Sequence, residues 1–246
     1  MRLFGLIGYP LTHSFSKKYF TSKFEKEGIK DCQYDLYEIK DIHDFPAILK
    51  NNAGLKGLNV TIPHKEAVMQ FLDELDEPVK RIKAVNVIKI QDGKLVGYNS
   101  DFHGFKISLQ KFLSGGNASQ NLKALVLGTG GASKAVKAAL EDLKIEYKTV
   151  SRTKGQADLT YDELPEVIEL FKLIINTSPV GMYPAVDQCP AIPYDKLTSD
   201  YFLYDLVYNP EVTLFLKKGA DKGARTKNGI DMLYLQAEKA WEIWNS

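Results

Sequence analysis

The stretch LVLGTGGASKAVKAAL, residues 125–140, limits the possible folds more than any other part of the chain. Leu125, Val126 and Leu127 read as a short buried strand. Gly128, Thr129, Gly130 and Gly131 then turn the chain. Ala132, Ala135, Val136, Ala139, Leu140 and Leu143 follow at helical spacing on one face. A strand, a glycine turn and an amphipathic helix open a βαβ unit, which commits the region to a parallel sheet covered by helices. In that context the first glycine permits the tight turn and the second lets backbone approach a pyrophosphate. The helix N-terminus then offers free N–H groups. Ser133 replaces the third glycine of the usual GxGxxG and is small enough for close packing. The competing reading is a plain βα turn with no ligand.

The next strand, EYKTV, ends in Ser151, Arg152, Thr153 and Lys154. A dinucleotide site selective for NAD carries a carboxylate there to bind the ribose hydroxyls. Here two cations stand instead, and arginine grips phosphate bidentately. If the glycine turn binds a dinucleotide, the expected cofactor is NADP. A solvated charged loop is the alternative.

The first half alternates strand-like and helix-like segments. Strands are expected over residues 2–8, 32–39, 57–62, 83–90 and 94–101, and helices over 14–28, 41–51, 64–75 and 101–113. Asp92-Gly93 is a hairpin signal between two of the strands. This describes a mostly parallel sheet with one antiparallel excursion. The polar run SGGNASQN, residues 114–121, is the best linker candidate, and a boundary is placed between residues 102 and 121. Later strands are KLIINTS and YFLYDLVY. Residues 230–244 form an amphipathic helix with Ile230, Leu233, Ala237, Ala240, Trp241 and Trp244 on one stripe. The resulting fold class is α/β in two domains, residues 1–102 and 103–229, with helix 230–246 packing back on the first.

Composition removes several classes of function. With 32 basic and 31 acidic residues the chain has no electrostatic footprint for nucleic acid or an anionic membrane. No apolar run reaches membrane length, and no signal peptide is expected at the start. Cys32 and Cys189 stand far apart without a CxxC, and the four histidines lack metal-ligand spacing, so neither a metal site nor a disulfide framework is expected. A reducing cytoplasm is the expected compartment.

Lys65, in GLNVTIPHKEAV, raises a separate question. It falls at the lip of a strand where a helix is expected to begin, against the positive dipole end. Asp101 closes another expected strand. In one sheet the two would meet at the carboxyl ends. There a lysine oriented by a carboxylate can hand a proton to a carbonyl oxygen as it accepts hydride, with burial and the helix dipole easing release of the proton. Taken alone, the pair reads equally as two solvated surface residues. Ser14 and Ser16 follow the first strand, Asn59 and Thr61 lie in the third, and Asn86 interrupts an apolar run. These either hydrogen-bond internally or line the site of a polyhydroxylated ligand.

GYPLTHSFS, NVTIPHK, AVNV, YNSD, GTGGAS, SRT, NTSPVGM and the terminal G-x-x-ML-x-x-Q occur in that order. Together they resemble the shikimate dehydrogenase family over almost the whole chain. The resemblance implies a soluble enzyme that reversibly reduces 3-dehydroshikimate to shikimate with NADP, in aromatic amino acid biosynthesis. It implies an N-terminal substrate domain, a Rossmann-type NADP domain and a cleft between them, in a monomer or homodimer. By motif match, Lys65 and Asp101 would be catalytic. Ser14 and Ser16 would hold the substrate carboxylate, and Thr61, Asn86, Tyr208 and Gln236 would complete the substrate site. Gly128, Thr129, Gly130, Gly131, Ala132, Ser151, Arg152, Thr153 and Lys154 would take the cofactor's phosphates and ribose. Thr177, Leu206 and Gly229 would lie near its nicotinamide half, with Glu77 close by.

The chain departs from the family pattern in places. After His13, Ser14 and Ser16 the usual proline is Lys17, and the later His-Asn is Tyr19-Phe20. The usual glycine before AVN is Lys83. Between SRT and NTSPVGM only residues 154–172 intervene, so a truncated Rossmann domain lacking one crossover helix is expected. A quinate/shikimate dehydrogenase or a shikimate-dehydrogenase-like paralogue stays open, although quinate enzymes often carry an acidic residue at the position of Arg152. A non-catalytic ligand-binding regulator on the same fold is the alternative from another class, and folate-type dehydrogenases lack the SxS and ML-x-x-Q pattern.

Overall fold

The computed structural model describes residues 1–12, 14–115 and 121–246; His13 and most of the linker candidate, residues 116–120, lie outside the described residues. The chain divides into two compact units, Met1–Ser100 with Gln236–Ser246, and Asp101–Leu235. The division falls at the first turn of one helix and inside the last one.

The first unit contains β1 (Arg2–Gly8), α1 (Phe15–Lys26), β2 (Cys32–Glu38), α2 (Phe45–Asn51), β3 (Leu55–Val60), β4 (Glu74–Leu75), α3 (Glu77–Ile82), β5 (Val87–Gln91) and β6 (Lys94–Tyr98). Its sheet has the order β2-β1-β3-β5-β6-β4. The β1–β2, β1–β3 and β4–β6 pairs are parallel, and β5 is antiparallel to both neighbours, so β5 alone runs against the rest. The two-residue Asp92-Gly93 turn joining β5 to β6 has positive φ at both residues, as a type I′ hairpin requires.

A sheet of parallel strands must bury both faces. On one face Phe4, Leu6, Phe20 and Tyr34 meet Ala237, Ala240, Ile243 and Trp244 of the C-terminal helix. On the other Ile7, Leu58, Val60 and Ile88 meet Phe45, Val68 and Val79. Gly57 permits the closest approach: a Cβ there would lie 2.2 Å from the Trp244 ring, whose Nε1 donates to Ile88 O at 3.0 Å.

Residues 64–75 do not form the expected helix. They make a turn, a 3-10 segment over Ala67–Phe71 and then β4. Sheet pairing overrides local preference here: Asp73 N donates to Leu95 O and Asp76 N to Gly97 O, drawing the segment onto β6. Besides β4, the sequence reading misses α3, the short strands Leu159–Thr160 and Arg225–Lys227, and the helix Leu214–Ala220. The start of α3 was legible, because Asp76 stands at its N-cap and Pro78 in its first turn.

The second unit contains α4 (Ser100–Ser114), whose first residue belongs to the other unit, then β7 (Lys123–Leu127), α5 (Gly131–Asp142), β8 (Glu146–Ser151), β9 (Leu159–Thr160), α6 (Leu164–Val167), β10 (Leu173–Asn176), β11 (Phe202–Asp205), α7 (Leu214–Ala220), β12 (Arg225–Lys227) and α8 (Ile230–Asn245). All its strand pairs are parallel, in the order β12-β11-β10-β7-β8-β9. Counted within the unit this is 3-2-1-4-5-6 read from β9, the order of a Rossmann fold. Between β8 and β10 the only α-helix is the four-residue α6, and no helix joins β8 to β9. Among the described residues, no helix is long and apolar enough to cross a membrane.

Lys83 caps α3 in the left-handed region, at φ 55°. A residue with a Cβ pays about 1–2 kcal/mol there, and glycine returns part of that gain as backbone entropy. Lys83→Gly is therefore expected to raise stability by about 0.5–1 kcal/mol, read from the midpoint of urea unfolding at constant slope; an unchanged or lower midpoint would contradict this account.

Candidate active site

In the first sheet the carboxyl ends of β1, β3 and β6 and the start of the reversed strand β5 lie on one edge. Ser14 and Ser16 emerge there after β1, and Thr61 and Lys65 after β3. Asn86 stands just before β5, and Asn99 and Ser100 just after β6. Thr61 and Asp101 are thus not strand residues. Thr61 follows the end of β3, and Asp101 sits in the first turn of α4, where an acidic residue suits the helix dipole. Lys65 is not at an α-helix N-terminus either; it stands just before the Glu66 N-cap of the 3-10 segment. Its backbone is fixed by Val85, whose N–H donates to Lys65 O at 2.7 Å.

The polar residues of this edge form a buried hydrogen-bonded series. Ser16 bonds the Tyr34 hydroxyl, whose pKa burial pushes up. Tyr34 Oη donates to Asn59 Oδ1 at 2.7 Å, and Asn59 Nδ2 donates to Asn86 O at 3.3 Å. Asn86 Nδ2 donates to Ser100 Oγ at 3.0 Å, and Ser100 N returns a bond to Asn86 Oδ1 at 2.6 Å. Ser100 Oγ donates to Gln236 Oε1 at 3.4 Å. The bond from Tyr34 ties Asn59 into internal structure, and Ser100 fixes the orientation of the Asn86 carboxamide. Ser14 accepts a bond from Lys17 N at 3.4 Å as the N-cap of α1. Glu77 stands apart: it is exposed at the start of α3 and pairs with Lys80.

In the second unit a cavity of about 1190 Å³ opens above the glycine turn, with Gly128, Thr129 and Gly130 on one side and Ser151, Arg152, Thr153 and Lys154 on another. Gly128 has φ 111°, and a Cβ there would meet Thr177 Oγ1 at 2.9 Å, so only glycine makes this turn. A Cβ on Gly130 or Gly131 would meet nothing within 4 Å. Bare backbone at a helix N-terminus, facing open space, fits a pyrophosphate, and the exposed Arg152 and Lys154 fit a further phosphate. The cavity's dimensions also suit a dinucleotide better than a small anion. Thr177, Leu206 and Gly229 follow β10, β11 and β12 at the same sheet edge, outside this cavity's lining. Leu206 N donates to Asn176 O at 2.9 Å, and Gly229 packs on the Leu206 backbone. Tyr208 lies beyond the end of β11 and is 36% exposed. Tyr161, Cys189 and Lys218 also line the cavity. No sequence signal marked them: Tyr161 lies in a short 3-10 segment, Cys189 in a loop and Lys218 on α7, a helix the sequence reading missed.

Asp205 is fully buried at the end of β11. Asn176 Nδ2 and Val207 N donate to its Oδ1 at 2.9 and 3.0 Å, and Thr213 Oγ1 donates to Oδ2 at 2.6 Å. Burial pushes its pKa up to about 6, against the opposing pull of these donors. The carboxylate joins the end of β10 to the segment after β11. Among the described residues, no group of three or more His, Cys, Asp or Glu is placed to hold a metal ion.

Residues 6–88 match the family model described as the shikimate dehydrogenase substrate binding domain. The shikimate dehydrogenase (NADP(+)) of Clostridium perfringens is 40% identical, over 100% of this chain and 93% of that protein. That of Caldanaerobacter subterraneus subsp. tengcongensis is 37% identical, over 99% of this chain and 91% of its own length. This chain belongs to the shikimate dehydrogenase family. The crystal structure of shikimate 5-dehydrogenase from Thermus thermophilus, in complex with NADP(H) and shikimate, superposes with a TM-score of 0.85 at 29% identity, covering 99% of this chain and 93% of that one. The two α/β units thus correspond to the substrate domain and Rossmann-type NADP domain of shikimate dehydrogenases.

The raised pKa of Asp205 has a consequence for stability. The folded carboxyl titrates near pH 6 and the unfolded one near 3.8, so its contribution is fully present below pH 3.8 and is lost as pH rises through 6. The loss should be on the order of 3 kcal/mol. Asp205→Asn is expected to flatten that part of the profile, checked by denaturant unfolding at pH 4, 5, 6 and 7. An unaltered slope in the variant would reject the assignment.

Proposed function

We propose that this chain catalyses the reversible NADP-dependent reduction of 3-dehydroshikimate to shikimate. The observation that carries the proposal is the gathering of Ser14, Ser16, Thr61, Lys65 and Asn86 on one edge of one sheet, with Gln236 joined to Asn86 through Ser100. Short polar side chains on rigid elements suit a ring that carries a carboxylate and several hydroxyls.

The bound NADPH would supply hydride to the carbonyl carbon. Everything else falls to the protein. Ser14 and Ser16 hold the substrate carboxylate, while Thr61, Asn86, Gln236 and Tyr208 bind the ring hydroxyls. Lys65 gives a proton to the carbonyl oxygen in the reductive direction and takes it from the hydroxyl in the oxidative one. Asp101 orients the ammonium, and the parallel course of β3 and β6 supports this pairing, since Lys65 follows one and Asp101 the other. Gly128 to Ala132 take the pyrophosphate, with Ser151 to Lys154 on the ribose phosphate; Thr177, Leu206 and Gly229 serve the nicotinamide half. We assign Glu77 the weakest link to the cofactor, because it is exposed and paired with Lys80.

The deciding measurement is NADPH absorbance with purified protein, shikimate and NADP, beside parallel reactions with quinate and NAD. Reduction of NADP by shikimate alone is expected. Turnover of quinate with NAD would move the chain to the broader quinate/shikimate group, and no turnover in any pairing would leave a binding protein. Lys65→Ala is expected to lower kcat roughly 10²–10⁴-fold with little change in NADP affinity; near-wild-type turnover would remove Lys65 from the proton transfer. Arg152→Ala should raise the KM for NADP far more than that for NAD, and equal rises would refute its part in choosing the cofactor.

A further inference from the structure

β8 and β9 are parallel neighbours joined only by residues 152–158. Parallel strands ordinarily need a crossover of a dozen or more residues, usually a helix, because the chain must travel back the length of the strand. Here the return is short. β9 has two residues, and they pair only with Val150 and Ser151 at the end of β8. One residue earlier, at Thr149, the sheet edge is closed by a side chain instead. Asp158 Oδ2 accepts from Thr149 N at 2.7 Å and from Thr149 Oγ1 at 2.6 Å, while Asp158 N donates to Thr149 Oγ1 at 3.1 Å. These three bonds clamp the two feet of the loop. Inside it Thr153 N donates to Ser151 Oγ at 3.1 Å, and Gln156 N to Thr153 O at 3.3 Å. The loop presents Arg152 and Lys154 to the cavity over the glycine turn.

We propose that Asp158 is a positioning residue that sets the preference for a 2′-phosphorylated cofactor, by clamping the loop that carries Arg152 and Lys154 in place of the missing crossover helix. The proposal rests on the reading that this cavity takes NADP with its ribose phosphate on Arg152. A clamp matters more here than in a domain with a full crossover. Arginine's bidentate grip depends on geometry, and a loop with no helix behind it has few other constraints. Asp158 itself is spent on Thr149, whose donors hold its carboxyl below the usual carboxylate range.

The test is calorimetric titration of the full chain with adenosine 2′,5′-bisphosphate and with AMP, which reads the 2′-phosphate without turnover. Asp158→Ala is expected to weaken the bisphosphate about tenfold while leaving AMP within about twofold. Asp158→Asn keeps an oxygen for both Thr149 donors and should restore near-wild-type binding. Thr149→Val, which deletes the Oγ1 bonds in both directions and leaves only the Thr149 N–H bond to Asp158, should weaken the bisphosphate in the same direction. Unchanged or tighter bisphosphate binding in Asp158→Ala, or equal weakening of both ligands, would overturn the proposal. Arg152→Ala separates it from the underlying reading. If that variant discriminates less between the two ligands and Asp158→Ala does not, only the role of Asp158 falls. If Arg152→Ala leaves discrimination intact, or the wild-type chain binds neither nucleotide, the cofactor reading falls and takes the proposal with it.

Discussion

The direction of the strands is the constraint from which the rest follows. A parallel strand pair cannot be closed by a hairpin, so the chain must leave one edge of the sheet and return to the other. Helices that make this return cover both faces, and the loops that begin them all open at the carboxyl edge. In the first unit that edge holds Ser14, Ser16, Thr61 and Lys65. The single reversed strand, β5, adds its amino-terminal neighbour Asn86 to the same edge. In the second unit the edge holds Gly128, Arg152, Thr177, Leu206 and Gly229. Residues scattered over more than two hundred positions of sequence are thereby sorted into two short rows.

Each row is stiffened by polar groups that the fold buries and satisfies. Asn59, Asn86 and Ser100 run through the first unit as a continuous hydrogen-bonded series from Tyr34 to Gln236. Asp205 does the same in the second unit, tying Asn176, Val207 and Thr213 to one carboxylate. Burial of such groups costs free energy unless every donor and acceptor finds a partner, and no buried side-chain nitrogen or oxygen among the described residues lacks one. What this arrangement contributes is a fixed orientation of side chains at the sheet edge, more than stability.

The shortened crossover shows how far a fold can be trimmed without losing its order. Removing the helix between β8 and β9 leaves the 3-2-1-4-5-6 sheet intact, because β9 shrinks to two residues and the chain need return only that far. The sheet edge that a longer β9 would have paired is taken by the side chain of Asp158. The capping box formed by Thr160 and Glu163 then starts the next short helical segment at once.

Local patterns in the sequence determined the strand–turn–helix at Gly128, the Asp92-Gly93 hairpin, the buried stripe of α8 and the absence of a full helix after Arg152. Each depends on contacts within a few residues, or on a period that one element imposes by itself. The ordered motifs placed most of the site residues in the chain, but not their partners in space. Only tertiary structure decided that residues 64–75 become a turn and an edge strand, since β6 offered backbone partners that a lone helix could not match. It also decided that Asn59 is bonded to Tyr34 and Asn86 to Ser100 inside the first unit, that Asp205 is a buried hub, and that Asp158 closes a loop. These four outcomes rest on pairings between segments distant in sequence or on the burial those pairings create, and a single chain of letters carries no measure of either.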